Sequence, residues 1–285
     1  MHMNGFNNIG VVGAGLMGAG IAEVAARAGK NVVLIDANPA AAEAGRDRLR
    51  TSLERAEERG KITGVAEILE RITVGSDLEA LADRDLVIEA IIEDEAAKTA
   101  LFARLDSIVT DPEAVLASNT SSIPIMKLAV ATQRPAQVLG IHFFNPVPVL
   151  SLVELVPSLL TAPTTTDRAR EFVEKDLGKH PIDSQDRAGF VVNALLIPFV
   201  LSAIRMLESG FATAEDIDQG LVRGAAHPQG PLALADLIGL DTTKAVAESL
   251  YEEFKEPLYA PPPLLARMVD AGLLGRKAGR GFYHY

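Results

Sequence analysis

The stretch 8–36, NIGVVGAGLMGAGIAEVAARAGKNVVLID, constrains this chain more than any other. Residues 9–12 form a short apolar run that ends in glycine, the pattern of a buried parallel strand. Gly13, Gly15 and Gly18 follow as G-x-G-x-x-G. Ile21, Ala22, Val24 and Ala25 then recur at helical spacing, Gly29 stops the helix, and residues 31–35 read as a second strand ending in Asp36. Each glycine has a physical task. Gly13 permits a tight turn, Gly15 leaves no Cβ between the backbone and a pyrophosphate, and Gly18 lets the helix pack closely on the strand. The first helical turn, Leu16-Met17-Gly18, offers N–H groups and a partial positive charge to phosphate oxygens. Asp36 stands 18 residues beyond Gly18, near the usual spacing for an acid that bonds the adenosine ribose hydroxyls. Its charge repels a 2′-phosphate and Ala37-Asn38 supplies no arginine, so NAD is expected over NADP. Glycines that serve helix packing alone are the plainer alternative. The strand before them, the helix after them and the acid that ends the next strand favour a dinucleotide site.

At 285 residues the chain accommodates two domains with substantial cores. Lys and Arg number 27 against 38 Asp and Glu, a net charge of −11 that argues against a general nucleic-acid partner. An anionic substrate requires a local basic patch. The sequence has no cysteine, which excludes disulfides and thiol chemistry and suits a reducing cytoplasm, the expected location. No signal peptide, membrane-spanning run or internal repeat is read, and Met1-His2-Met3 is given no role.

Beyond Asp36, residues 39–59 read as a long polar helix capped by Asn38, with Pro39 in its first turn, and a second helix, 63–70, returns. Strands follow at 72–74, 86–90, 114–117, 138–142, 152–156 and 180–182. Helices fall between them at 95–109, shortly after Pro124, and at 166–177. The alternation predicts an α/β Rossmann-type fold, a doubly wound, mostly parallel sheet with helices on both faces. From Phe190 the pattern is helical, at 191–209, 214–221, 231–238, 241–254 and 264–271. The expected organisation is a dinucleotide-binding domain over 1–186 and a smaller all-α domain over 187–285. The tail GRKAGRGFYHY is too glycine-rich for a core helix and aromatic enough to dock.

Two polar clusters fall where open parallel sheets bind ligands, at the carboxyl ends of strands. Ser118-Asn119-Thr120-Ser121-Ser122 follows the fifth strand, and an ordinary helix-capping loop is its alternative explanation. His142-Phe143-Phe144-Asn145-Pro146-Val147-Pro148 follows the next strand, and Glu154 comes twelve residues after His142 within an apolar strand. The two prolines let the chain turn back and bring Glu154 to the imidazole. A carboxylate on one ring nitrogen sets the tautomer and stabilises imidazolium, while the other nitrogen acts as base. No His/Cys cluster has metal-ligand spacing.

The glycine turn, SNTSS, HFFNPV, the LVE strand, GFVVN and the closing G-x-x-G-x-GFY together resemble the L-3-hydroxyacyl-CoA dehydrogenase family, in order along essentially the whole chain. The short, single-function length resembles the bacterial 3-hydroxybutyryl-CoA members. The resemblance implies NAD as cofactor, an acyl-CoA substrate, and a helical C-terminal domain that forms a homodimer. It implies that His142 is the general base, Glu154 its orienting partner, and that Ser121 and Asn193 contact substrate near the reacting carbon and thioester. It places Glu93 and Lys98 near the nicotinamide ribose, with Asn119 and Asn145 nearby. Coenzyme A is expected on the long helical hairpin, at Ser52 and at Arg59. Arg59 stands where animal mitochondrial members carry lysine, and Glu54, Glu57 and Glu58 lie close by. Two other readings remain: a dehydrogenase of a free hydroxy or sugar acid on the same fold, and a non-catalytic NAD-binding structural protein.

Overall fold

In the computed structural model the first strand, β1 (Asn8–Val12), pairs along its length with β2 (Asn31–Ile35) and from Ile9 onward with β4 (Leu86–Glu89), both parallel. The structure describes residues 5–285, and Met1-His2-Met3 lies outside them. Helix α1 (Leu16–Arg27) joins β1 to β2 and buries an Ala- and Gly-rich face on the sheet. Helix α2 (Pro39–Glu58) begins with Asn38, whose side chain accepts from the Ala40 N–H, and Pro39 occupies its first position. A short α3 (Val65–Glu70) returns the chain to β3 (Ile72–Gly75) beside β2.

On the other side of β1, α4 (Glu95–Ile108) links β4 to β5 (Val115–Ser118), and α5 (Ile125–Ala129) precedes β6 (Val138–Phe143). Then β7 (Leu152–Pro157), α6 (Pro163–Glu171) and β8 (His180–Asp183) complete the unit. Among the described residues the sheet has eight strands in the order β3-β2-β1-β4-β5-β6-β7-β8. All pairs are parallel except β6 with β7. One face of the sheet packs a core that includes Ile9, Val11, Leu34, Leu86, Ile88, Val115, Ile141 and Leu155, and the alternate residues Val12, Val87, Leu116 and Val138 are buried on the other face. Helix α6 starts three residues ahead of the position expected from the sequence, because Pro163 suits a first helical turn. Its last expected turn, Phe172–Asp176, widens into a π turn.

Contacts divide the chain into two compact units, the first ending at Asp186 and the second running from Arg187 to Tyr285. The second is helical: α7 (Val192–Glu208), α8 (Ala214–Gln219), α9 (Pro231–Ile238), α10 (Leu240–Phe254) and α11 (Pro263–Asp270). Val200, Leu201 and Ile204 of α7 meet Leu232, Ala235, Val246, Leu250 and Leu265 in its core. The tail docks on this unit. Buried Asp236 accepts the N–H groups of Phe282 and Tyr283 and the Tyr285 hydroxyl, and the Tyr283 hydroxyl donates to Asp218. Among the described residues no helix is long and apolar enough to cross a membrane.

Candidate active site

The glycine turn has the shape a pyrophosphate requires. Gly13 sits at φ +104°, and a Cβ on Gly18 would stand 1.7 Å from the Gly13 carbonyl oxygen, so neither position admits a side chain without distortion. A Cβ on Gly15 meets nothing within 4 Å, which leaves open space where phosphates approach the first turn of α1. Asp36 lies just after β2. Its Oδ2 accepts the Ala14 N–H at 2.9 Å and its Oδ1 accepts the Asn38 N–H at 3.0 Å, so this acid braces the turn. Arg48 of α2 donates to the Ala14 carbonyl at 3.0 Å. These residues fit a bound NAD.

Across the β1/β4 reversal of strand order, Glu93 and the 118–122 loop lie beyond the carboxyl ends of β4 and β5, where open parallel sheets bind ligands. Glu93 Oε1 accepts from the Thr120 hydroxyl, from the Ser121 and Ser122 N–H groups and from the Ser122 hydroxyl. Lys98, expected to lie beside a ribose, is 1 % exposed; its Nζ lies 2.5 Å from Glu89 Oε1 and 3.1 Å from Glu93 Oε2. Burial alone would raise the Glu93 carboxyl. The Lys98 ammonium and the Thr120, Ser122 and Lys98 hydrogen bonds outweigh it and hold the group below its ordinary value. Asn119 turns toward β6, where its Oδ1 accepts the Phe143 N–H at 2.8 Å.

The antiparallel β6/β7 register sets His142 directly opposite Glu154. Neighbours so paired project to one face of a sheet, and the imidazole Nδ1 meets Glu154 Oε2 at 2.7 Å. His142 is 6 % exposed and Glu154 is fully enclosed, so the carboxylate charge acts with little screening. The Phe144 ring packs edge-on against the imidazole, with centroids 4.6 Å apart. Asn145 is exposed just beyond, at a cis peptide bond with Pro146. The prolines that follow line a groove of about 780 Å³ together with Ser52 and Arg59 of the α2 segment. Arg27, Arg48, Arg55 and Lys61 also line it, a concentration of positive charge in an acidic chain that sequence reasoning left unnoticed. Their signal was present as the i, i+4, i+7 spacing of Arg48, Ser52 and Arg55 along one helix face. Asn193 belongs to the second unit, in the first turn of α7.

A profile of the 3-hydroxyacyl-CoA dehydrogenase NAD-binding domain matches residues 8–187, and one of the same enzymes' C-terminal domain matches 189–285. The chain belongs to the 3-hydroxyacyl-CoA dehydrogenase family. It is 60% identical over 279 residues to a 3-hydroxybutyryl-CoA dehydrogenase of Mycobacterium tuberculosis, covering 97% of this chain and 98% of that one. The crystal structure of M. tuberculosis FadB2 superposes with a TM-score of 0.98 at 58% identity, covering 99% of this chain and 100% of that one. That of (S)-3-hydroxybutyryl-CoA dehydrogenase PaaH1 from Ralstonia eutropha gives 0.92 at 47%, covering 98% and 99%. As a family member the chain is an NAD-dependent dehydrogenase, and the Rossmann architecture read from its glycine turn is that of its relatives.

Proposed function

We propose that this dehydrogenase oxidises (S)-3-hydroxyacyl-CoA thioesters of short acyl chain, such as 3-hydroxybutyryl-CoA, to 3-oxoacyl-CoA, and catalyses the reverse reduction. The observation that carries the reading is the 2.7 Å contact between His142 Nδ1 and the enclosed Glu154 carboxylate. Bound NAD supplies the hydride acceptor for C3 of the substrate. His142 takes the 3-hydroxyl proton on Nε2, and Glu154 offsets the charge that appears on the ring. In the reverse direction the imidazolium returns that proton to the 3-oxo oxygen. Ser121 and Asn193 orient the oxygen and the thioester, and Asn119 and Asn145 border the nicotinamide half with Glu93. A positioned base of this kind contributes roughly 10²–10⁴-fold, the remainder coming from alignment of the hydride donor and acceptor.

Ser52 and Arg59, with the other cations of the groove, receive the phosphates of coenzyme A. The second unit forms a homodimer, and the enzyme works in the cytoplasm. Absorbance at 340 nm with NADH and, in turn, acetoacetyl-CoA, free acetoacetate and a sugar acid tests the substrate. Turnover concentrated on the thioester is expected. Comparable kcat/KM for a free acid would overturn the assignment of the groove to coenzyme A.

A further inference from the structure

Glu89, the last residue of β4, is a carboxylate for which the proposed chemistry has no use. It is fully enclosed, and both of its oxygens are engaged. Oε1 accepts from Lys98 Nζ at 2.5 Å and from the Ile91 N–H at 2.7 Å, while Oε2 accepts from the Ser118 hydroxyl at 2.6 Å. A buried charge requires such partners. Where the partners lie is the informative part. Ile91 belongs to the loop after β4. Ser118 ends β5, and its oxygen accepts the Thr120 N–H at 3.1 Å. Lys98 reaches on to Glu93, whose other oxygen gathers the Thr120–Ser122 turn. One carboxylate therefore meets, from within the sheet, both loops at this part of the ligand edge.

Those loops flank a definite half of the cofactor. Asp36 marks the adenosine half on the β2 side, and the strand order reverses between β1 and β4. The nicotinamide half therefore crosses to the ends of β4 and β5, toward His142 on β6. Stability alone is a poor reason to keep the Glu89–Lys98 pair, because apolar side chains of similar volume commonly serve a core as well or better.

We infer that Glu89 is a positioning residue for the dehydrogenation: through Lys98 and Ser118 it holds the loop after β4 and the Thr120–Ser122 turn in the arrangement that presents Ser121 to the nicotinamide half of the site. Glu89 shares the Lys98 ammonium with Glu93. Without the Glu89 charge, Glu93 is drawn toward Lys98, and with Lys98 neutralised as well Glu93 loses the ammonium that fixes its second oxygen; either way the amides of the turn lose a fixed acceptor. The inference rests on the proposed function for the substrate alone, since NAD dependence follows from family membership.

The test compares the whole enzyme with Glu89→Gln, with Glu89→Gln combined with Lys98→Met, and with Ser118→Ala. Melting temperature, NADH affinity by fluorescence, amide hydrogen exchange over 118–123, and kcat and KM for acetoacetyl-CoA are measured on each. The double variant removes both charges together, so a near-normal melting temperature is expected. Exchange over 118–123 then rises about tenfold or more, the NADH Kd rises by about fivefold and kcat falls about tenfold, with KM for the thioester little changed. A double variant with ordinary exchange, NADH affinity and kcat would overturn the inference, because Glu89 would then merely balance Lys98. Should that variant not fold, Ser118→Ala decides: faster exchange confined to the turn supports the role, and unchanged exchange refutes it. If the unaltered enzyme fails to turn over acetoacetyl-CoA, the substrate assignment falls, while the NADH and exchange measurements still decide the role of Glu89.

Discussion

An imidazole that takes up a proton inside a protein needs a countercharge, and the enclosed Glu154 carboxylate supplies it to His142 at 2.7 Å. His142→Ala is expected to lower kcat by about 10²-fold or more with NAD affinity little changed. Glu154→Gln keeps the shape and removes the charge, so kcat falls as well. The double variant loses less than the two free energies summed, because the pair acts as a unit. Melting temperatures on the same preparations separate this from a structural role, which would lower stability and leave turnover per folded molecule intact. Glu93 lends itself to a pH experiment. Its carboxyl titrates lower in the folded chain than in the unfolded one. The group therefore contributes stability that is in place above the ordinary carboxylate range and is lost as pH falls through that range to the lower folded value. Glu93→Gln is expected to flatten the acid limb of melting temperature against pH, measured by calorimetry from about pH 7 down to about pH 2.5. Identical acid limbs would contradict the assigned ionisation.

At the scale of elements, the glycine turn separates fold from ligand. Gly15→Ala places a methyl in open space, so the melting temperature is expected to hold while NAD binding weakens by about tenfold or more, read by calorimetric titration. Gly18→Ala drives a methyl into the Gly13 carbonyl and is expected to lower the melting temperature itself. These strands and helices were legible in the sequence because each βα unit is local: an apolar run, a glycine, a periodic helix. The pairing of His142 with Glu154 was legible as an expectation, since an acid amid Leu152, Val153, Leu155 and Val156 needs a partner and two prolines lie between. Two features were not. The resemblance places Lys98 near a ribose, but nothing in the linear sequence shows its burial, which arises because Glu89 at the end of β4 and Glu93 in the following loop converge on it. The basic groove likewise assembles Arg27 from α1 with Arg48, Arg55 and Arg59, whose acidic neighbours Glu54, Glu57 and Glu58 mask it in a linear reading.

At the scale of the whole molecule, the second unit leaves apolar side chains uncovered. Leu195 is 73 % exposed, and Met206 of the same helix and Phe211 just beyond it are also exposed. Leu195, Ser202 and Met206 recur at spacings of seven and four, so they line one face of α7. A face of that kind is ordinarily covered in the working assembly. Multi-angle light scattering at micromolar concentration is expected to return twice the chain mass of 30.3 kDa. Leu195→Glu with Met206→Glu is expected to halve it, and a monomeric unaltered protein would refute the assembly.

Asp36 and Ala14 bear on how freely such an enzyme can be redirected. The carboxylate expected to discriminate between cofactors also accepts the Ala14 amide, while Arg48 donates to the carbonyl of the same residue. Selectivity and the integrity of the phosphate turn thus share one side chain. A redesign toward a 2′-phosphorylated cofactor that simply deletes the acid also strips an acceptor from the turn that both cofactors need. Productive routes pass through neutral side chains that still accept that amide, such as Asn or Ser, with the new cation introduced elsewhere.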